Sequence, residues 1–518
     1  MKRRKFLRTT GAAVSIPLVL NGMNLAAMPK STVFDSMNET DRVLVIVRLN
    51  GGNDGLNMVI PRDQYEGLSA VRGNIIIPEA NVLGLTDELG VHPAMAGIQN
   101  MYNDGQLDIV QGVGYPNQNR SHFRSTDIWT SGSPSEAYWT TGWMGRYFQE
   151  MQPAFPNGYP NESYPDPFAI TMGRTVSETC QGTSANFSLT LSDPFSISPL
   201  TEGAAGDLPD TPYGEELAFI RLAINQANQY GEVITDAAEA GSNSGDYPAE
   251  NELAQQLKNV ALLVAGGLKT KVYIVTMGGF DTHANQVDGA DNGEGNHAAL
   301  LGTLSEAMHA FQADLVAQGL DERVFSMTFS EFGRRIKSNE AKGTDHGTAS
   351  PMMLFGSCVN PVILGDNAEI ATEVANNEGV AMQYDFRDIY GSVLMDWFGV
   401  EEDGVKSLLY DGFTYLPVIS GCVLDAVRPN PISEEAILLA CFPNPCRDNL
   451  TVTFTTLSEW ANLSIFDTIG SEIKTVFSKQ LAAGSHQMNI DMRGLPTGTY
   501  YCRLQLGARQ KTIRVVKI

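Results

Sequence analysis

Apolar positions along this chain fall into two kinds of run, and their alternation predicts the architecture. Arg42-Val43-Leu44-Val45-Ile46-Val47-Arg48-Leu49 is an unbroken, β-branched run of the kind buried on both faces, which predicts a central strand of an α/β sheet. Residues 106–114, 271–276, 323–329 and 352–355 predict further strands. Between them apolar residues recur at helical spacing over 215–240, over 251–266 and over about 296–318, where Leu300, Leu301, Leu304, Met308, Phe311 and Leu315 share a face. Strand and helix in alternation predict a parallel, doubly wound sheet. Residues 147–214 break the pattern. They are rich in Pro, Asn, Ser and Gly and too long for an ordinary connection, so they read as an irregular insertion that could cover a site and set specificity.

A chain of 518 residues holds one large domain, placed at 40–420, and something smaller. After a linker over 421–440, residues 441–518 alternate apolar and polar positions in several short strands, which predicts a small all-β sandwich.

Chemistry gathers where the predicted strands stop. The first ends in Asn50-Gly51-Gly52-Asn53-Asp54, and ligands of open α/β sheets sit at the carboxyl ends of strands, so Asp54 is either a site residue or the cap of an Asx turn. The second runs into Arg120-Ser121-His122, three candidate catalytic residues. If a helix begins near Ser121, its free N–H groups and Arg120 make an anion site beside a nucleophile; otherwise Ser121 is an N-cap. Gly112-x-Gly114 lacks the third glycine of a dinucleotide fingerprint, which excludes nucleotide binding on that motif. Asp281 and His283 follow Gly278-Gly279-Phe280, Glu331 follows the strand at 323–329, and Asp345-His346 stand just before the run at 352–355. His297, at a helix start, either reaches the site or packs in the core. Carboxylates converging from several strand ends would repel one another, and a bound divalent metal is the economical explanation. The Asp/Glu/His mixture favours zinc or manganese, one ion or two, over an all-oxygen calcium cage.

Charge and termini narrow the partners. With 59 acidic against 35 basic residues the formal charge is −24, which opposes binding to nucleic acid and to anionic membranes. Six cysteines are too few for a disulfide scaffold and lack the spacing of a zinc ribbon. Residues 1–28 join a basic start to a short, weakly hydrophobic stretch, which predicts an export signal and no transmembrane segment in the mature chain. Arg3-Arg4 ahead of Phe6-Leu7 resembles a twin-arginine signal; a general secretory signal with a basic start is the other reading.

Five motifs carry a resemblance to the family called domain of unknown function 1501: Arg48-x-x-Gly51-Gly52-x-Asp54-Gly55-Leu56-Asn57, Tyr115-Pro116 with Arg120-Ser121-His122-Phe123, Gly278-Gly279-Phe280-Asp281-Thr282-His283, Phe329-Ser330-Glu331-Phe332-Gly333-Arg334, and Gly343-Thr344-Asp345-His346-Gly347-Thr348. That family is grouped with the alkaline phosphatase and sulfatase superfamily. The resemblance implies a three-layer α/β/α fold with metals at the carboxyl end of the sheet. It further implies Asp54, Asp281, His283 and His346 as metal ligands, Glu331 in the place of the acid of an Asp-His pair, and Ser121 as nucleophile. Here that pair reads Glu331-Phe332, and Asp281 and His283 are two residues apart where phosphatases use four. The tail, with Phe442-Pro443-Asn444-Pro445, Leu495-Pro496-x-Gly498-x-Tyr500 and a basic last strand, resembles the type A sorting domain of type IX secretion; a carbohydrate-binding sandwich is the alternative. Together these predict a protein secreted or held at the cell surface, handled by the export and type IX machinery. Its expected activity is metal-dependent hydrolysis of phosphate, sulfate or related esters, with Ser121 or a water at the metal as nucleophile and Arg120 holding the anionic substrate. A non-catalytic surface scaffold of the same fold is the alternative.

Overall fold

The β-branched run forms β1 (Val43–Leu49), and its side chains alternate between two cores. Val43, Val45, Val47 and Leu49 pack on one side and Leu44 and Ile46 on the other, as a strand covered on both faces requires. The computed structural model describes residues 41–200, 211–420, 422, 439–456, 459–466, 472–481, 484–506 and 509–518. The export signal read at 1–28 and most of the linker read at 421–440 lie outside the described residues.

Eight more strands join β1 in a nine-stranded sheet. They are β2 (Leu107–Gly114), β3 (Ala169–Met172), β4 (Ser188–Leu191), β5 (Val272–Met277), β6 (Val324–Phe329), β7 (Ser350–Phe355), β8 (Ile363–Leu364) and β9 (Tyr384–Asp385). The order is β8-β2-β7-β6-β1-β5-β3-β4, with β9 also on β2. Helices Pro212–Ala240, Glu252–Ala265 and Asn296–Gln318 cover one face, and His122–Ser131, Trp143–Met151 and Phe386–Phe398 the other, giving three layers.

Two expectations need correction. The sheet is parallel-rich but mixed: β1 runs parallel to β5 and β6, whereas β7 runs antiparallel to both β2 and β6. Reversal of β7 puts its beginning at the edge where β1, β5 and β6 end, so residues just before it reach the same rim. The segment 147–214 is not wholly irregular either, because β3 and β4 lie within it and extend the sheet beyond β5. Four-residue strands such as Ala169-Ile170-Thr171-Met172 are too short for a periodic signal to stand out from a polar background.

The chain divides into two compact units at residues 423 and 424. Cys422, read as linker, is disulfide-bonded to Cys358 and belongs to the first. The second unit has antiparallel sheets of three and four strands around a core that includes Leu450, Val452, Leu463, Ile465 and Leu504. Among the described residues no helix is long and apolar enough to cross a membrane.

One buried group opposes the fold. Asp108 lies in β2 opposite Leu354, fully buried, and among the described residues neither carboxylate oxygen makes a hydrogen bond of good geometry. Burial pushes its pKa well above the carboxylate range, and the nearby Ile109 amide opposes this only in part. Folded Asp108 therefore keeps a proton that the unfolded chain releases above about pH 4, and its contribution to stability declines as pH rises past that point. Asp108→Val is expected to stabilise the large domain at neutral pH by about 1–3 kcal/mol and to flatten that decline. Calorimetric melts of both proteins across the acid-to-neutral range check this; an unchanged slope with a lower melting temperature would contradict it.

Candidate metal centre at the rim of the sheet

Backbone crowding explains the glycines after β1. Gly51 and Gly52 have φ of 128° and 76°, and a Cβ on Gly51 would stand 2.4 Å from the Asp281 amide nitrogen. On Gly52 it would stand 2.2 Å from the Phe332 ring. No other residue lets this turn pass so close to the ends of β5 and β6. The Gly51 N–H then donates to Oε1 of Glu331 at 2.9 Å.

Asp281, beyond the end of β5, is the centre of the rim. Its Oδ1 lies 2.9 Å from His283 Nδ1, 3.2 Å from His346 Nε2 and 3.5 Å from His122 Nε2. It also accepts from Arg334 Nη2 at 2.7 Å. Burial opposes ionisation of Asp281, but Arg334, His346 and His283 outweigh it and hold the carboxyl below its usual range.

Both outer imidazoles are oriented from behind. His122 Nδ1 is 2.8 Å from Glu331 Oε1, and His346 Nδ1 is 2.8 Å from the Arg120 carbonyl oxygen. A carbonyl can only accept, so His346 Nδ1 carries the proton and, in the neutral ring, Nε2 presents a lone pair to Asp281. Burial lowers the His346 pKa despite Arg120 and Asp281, which favours that neutral ring. Lone pair facing carboxylate is repulsive unless a cation lies between. One donor atom each from His122, Asp281 and His346 fall within 4.8 Å of one another, a nitrogen, oxygen, nitrogen set backed by a carboxylate and a carbonyl that could hold a metal ion.

The structure thus brings together Asp281, His283, His346, His122 and Glu331, though with other roles for two of them. Glu331 is fully buried and orients His122, while His122 itself offers the donor. Asp54 is not in the cluster: it is buried against Arg72 Nη1, 3.0 Å from each carboxylate oxygen, and accepts from Gln286 at 2.7 Å. Asp345 turns away to Arg335 at 3.0 Å. Ser121 is the N-cap residue of His122–Ser131, yet its side chain makes no capping bond and is exposed. Arg120 serves through its backbone, because its guanidinium is tied to the Asn377 carbonyl at 2.8 Å. His297 is a core histidine, bonded to Asn53 at 2.9 Å, with its pKa lowered to about 4 by burial.

Sequence reasoning assigned no role to Arg334 or Arg72. Arg334 is 1% exposed and donates to the carbonyls of Gly51, Gly52, Phe280 and Thr344 as well as to Asp281, stitching three strand ends together. Nothing in periodicity marks a buried arginine; its place next to a strand-end acid was the available signal.

The family comparisons divide the chain as the fold does, into a large first domain and a small C-terminal one. Residues 41–396 match the family described as protein of unknown function (DUF1501), and the chain belongs to that family. Residues 440–518 match the secretion system C-terminal sorting domain, which marks type IX secretion to the cell surface or the extracellular space. No curated protein matches the chain. Similar solved structures include a sulfatase from Pseudoalteromonas sp., at 11% identity over 89% of this chain and 85% of that one, with a TM-score of 0.33. A phosphonate monoester hydrolase from Silicibacter pomeroyi matches at 9% identity over 92% and 89%, with a TM-score of 0.33. A protein in the alkaline phosphatase superfamily from Vibrio parahaemolyticus matches at 10% over 90% and 85%, with a TM-score of 0.31.

Proposed function

We propose that the large domain is an exported, metal-dependent hydrolase of phosphate, sulfate or related ester bonds. The observation that supports this best is the pair of imidazoles, His122 and His346, whose Nδ1 atoms are held from behind and whose Nε2 atoms converge on one Asp281 oxygen. Those three residues would hold a single divalent ion, and its chemistry when bound is to neutralise charge on the ester and on the departing oxygen. Arg334 fixes Asp281, and Glu331 fixes the tautomer and plane of His122. The first turn of His122–Ser131 receives no side-chain cap from Ser121, and the positive end of a helix favours an anion beside the exposed Ser121 hydroxyl. In net terms water adds to phosphorus or sulfur, the ester C–O–P or C–O–S link breaks on the P or S side, and the alcohol leaves with a proton.

A scaffold without turnover is the second reading, favoured by Arg334, which already gives the central Asp281 oxygen a cationic partner. Elemental analysis of the mature protein with turnover of aryl phosphates and sulfates separates the two. One zinc or manganese per chain, turnover, and its loss in His346→Ala and Ser121→Ala with folding retained are expected. A metal that raises the melting temperature without any turnover would leave the scaffold.

A further inference from the structure

We propose that the groove beside His122 holds a sugar, so that the ester cleaved at the rim is carried on a carbohydrate hydroxyl; this rests on the hydrolase reading above. The groove has a volume of about 590 Å³, within the range of small-molecule sites. His122 lines it and also faces Asp281, so a ligand lying in the groove reaches the cluster.

The walls are rich in acceptors. Asp127 and Glu178 face the groove, and among the described residues neither carboxylate is engaged by a hydrogen bond or an ion pair. Thr130 donates its hydroxyl proton to the Thr126 carbonyl at 2.9 Å, which leaves its lone pairs for a ligand, and Ser177 donates to Thr179 Oγ1 at 3.0 Å and accepts from the Thr179 N–H at 3.2 Å, which leaves one. A ligand that satisfies such walls brings several free O–H donors, as the unesterified hydroxyls of a sugar do, whereas the ester of a simple aryl or alkyl alcohol brings none. At the mouth Phe123 is 87% exposed, a large apolar ring with no packing reason to stand in water and a flat face for the C–H side of a pyranose. Arg48 completes the arrangement. Its Nη2 is held by Asn50 and Thr126, and it lines the same groove as a cation for the anionic part of the ligand.

Calorimetric titration of the full chain with inorganic sulfate and phosphate, the 4- and 6-sulfates of galactose, N-acetylglucosamine 6-sulfate and glucose 6-phosphate tests this. At least one sugar ester should bind about tenfold or more tighter than its inorganic anion, and in Phe123→Ala and Thr130→Val that gain should shrink to about twofold or less. Circular dichroism confirms that both variants fold. If no sugar ester gains over the inorganic anion, or if the gain survives both substitutions, the groove is not a sugar site. Turnover of 4-nitrophenyl phosphate or sulfate by the same preparation keeps the two ideas apart. Turnover without a sugar gain overturns the groove alone, and a Phe123-dependent sugar gain without turnover under any metal overturns the hydrolase reading alone.

Discussion

Arg72→Met is expected to lower the stability of the large domain by about 3–5 kcal/mol, the usual cost of leaving one member of a buried ion pair without its partner. Arg72 is fully buried, and its guanidinium donates to Asp54, to Asn57 at 3.1 Å, and to the Ile336 and Arg335 carbonyls at 2.8 and 2.7 Å. Asp54 is 1% exposed, and burial alone would raise its pKa; Arg72, with His297 and Gln286, outweighs burial and holds it below the usual range. A depressed carboxyl stabilises the fold above its unfolded pKa and loses that contribution as pH falls through the folded value, so the wild type should weaken in acid more steeply than the variant. Denaturant melts of the wild type, Arg72→Met and Arg72→Met with Asp54→Leu check the account. The double substitution should recover part of the loss, because it removes the orphaned charge, and incompletely, because two carbonyls still lack their donor. A single variant within about 1 kcal/mol of wild type would mean that the pair is not a strut of this floor.

The strut matters to the site through a short relay. Gln286 donates to Asp54 and, through its carbonyl oxygen, accepts from Thr282 at 3.0 Å and Thr344 at 2.9 Å. Thr282 lies between Asp281 and His283, and Thr344 stands two residues before His346. Asp54 therefore supports the segments that carry the cluster without entering it.

That distinction was out of reach of the sequence, and the reason is physical. Asp54 and Asp281 look alike in one dimension, each a carboxylate after a glycine-rich strand end. What separates them is the partner: Arg72 arrives on a helix eighteen residues later, and its burial leaves no mark in the hydrophobic pattern. The direction of β7 is equally silent, because a two-residue period is the same read either way. Its reversal is nevertheless what delivers His346 to the edge where β1, β5 and β6 end. Legible features were those with long, consistent periodicity. The β1 run divided its side chains between two cores, and the helix expected over about 296–318 is Asn296–Gln318. β3 and β4, at four residues each, fell below that threshold.

Asp281→Ala should abolish both metal content and ester turnover, and Glu331→Gln should weaken them by about 10–100-fold, the typical effect of losing an outer partner of a ligating histidine. The difference follows from where the two carboxylates sit. Asp281 Oδ1 is the point on which His122, His283 and His346 converge, so its loss removes a donor and leaves Arg334 buried and uncompensated. Glu331 Oε1 accepts from Gly51 and lies against His122 Nδ1, two tasks that a glutamine carbonyl can still perform without charge. Metal analysis and kcat/KM on aryl esters, measured together on folded variants, read both effects. Glu331→Ala should be worse than Glu331→Gln, since the Gly51 amide and the imidazole would then lose their acceptor altogether. If Glu331→Gln instead emptied the centre as fully as Asp281→Ala, the second, unpaired Glu331 oxygen would have to be a ligand itself, and His122 would be its neighbour rather than the donor it positions.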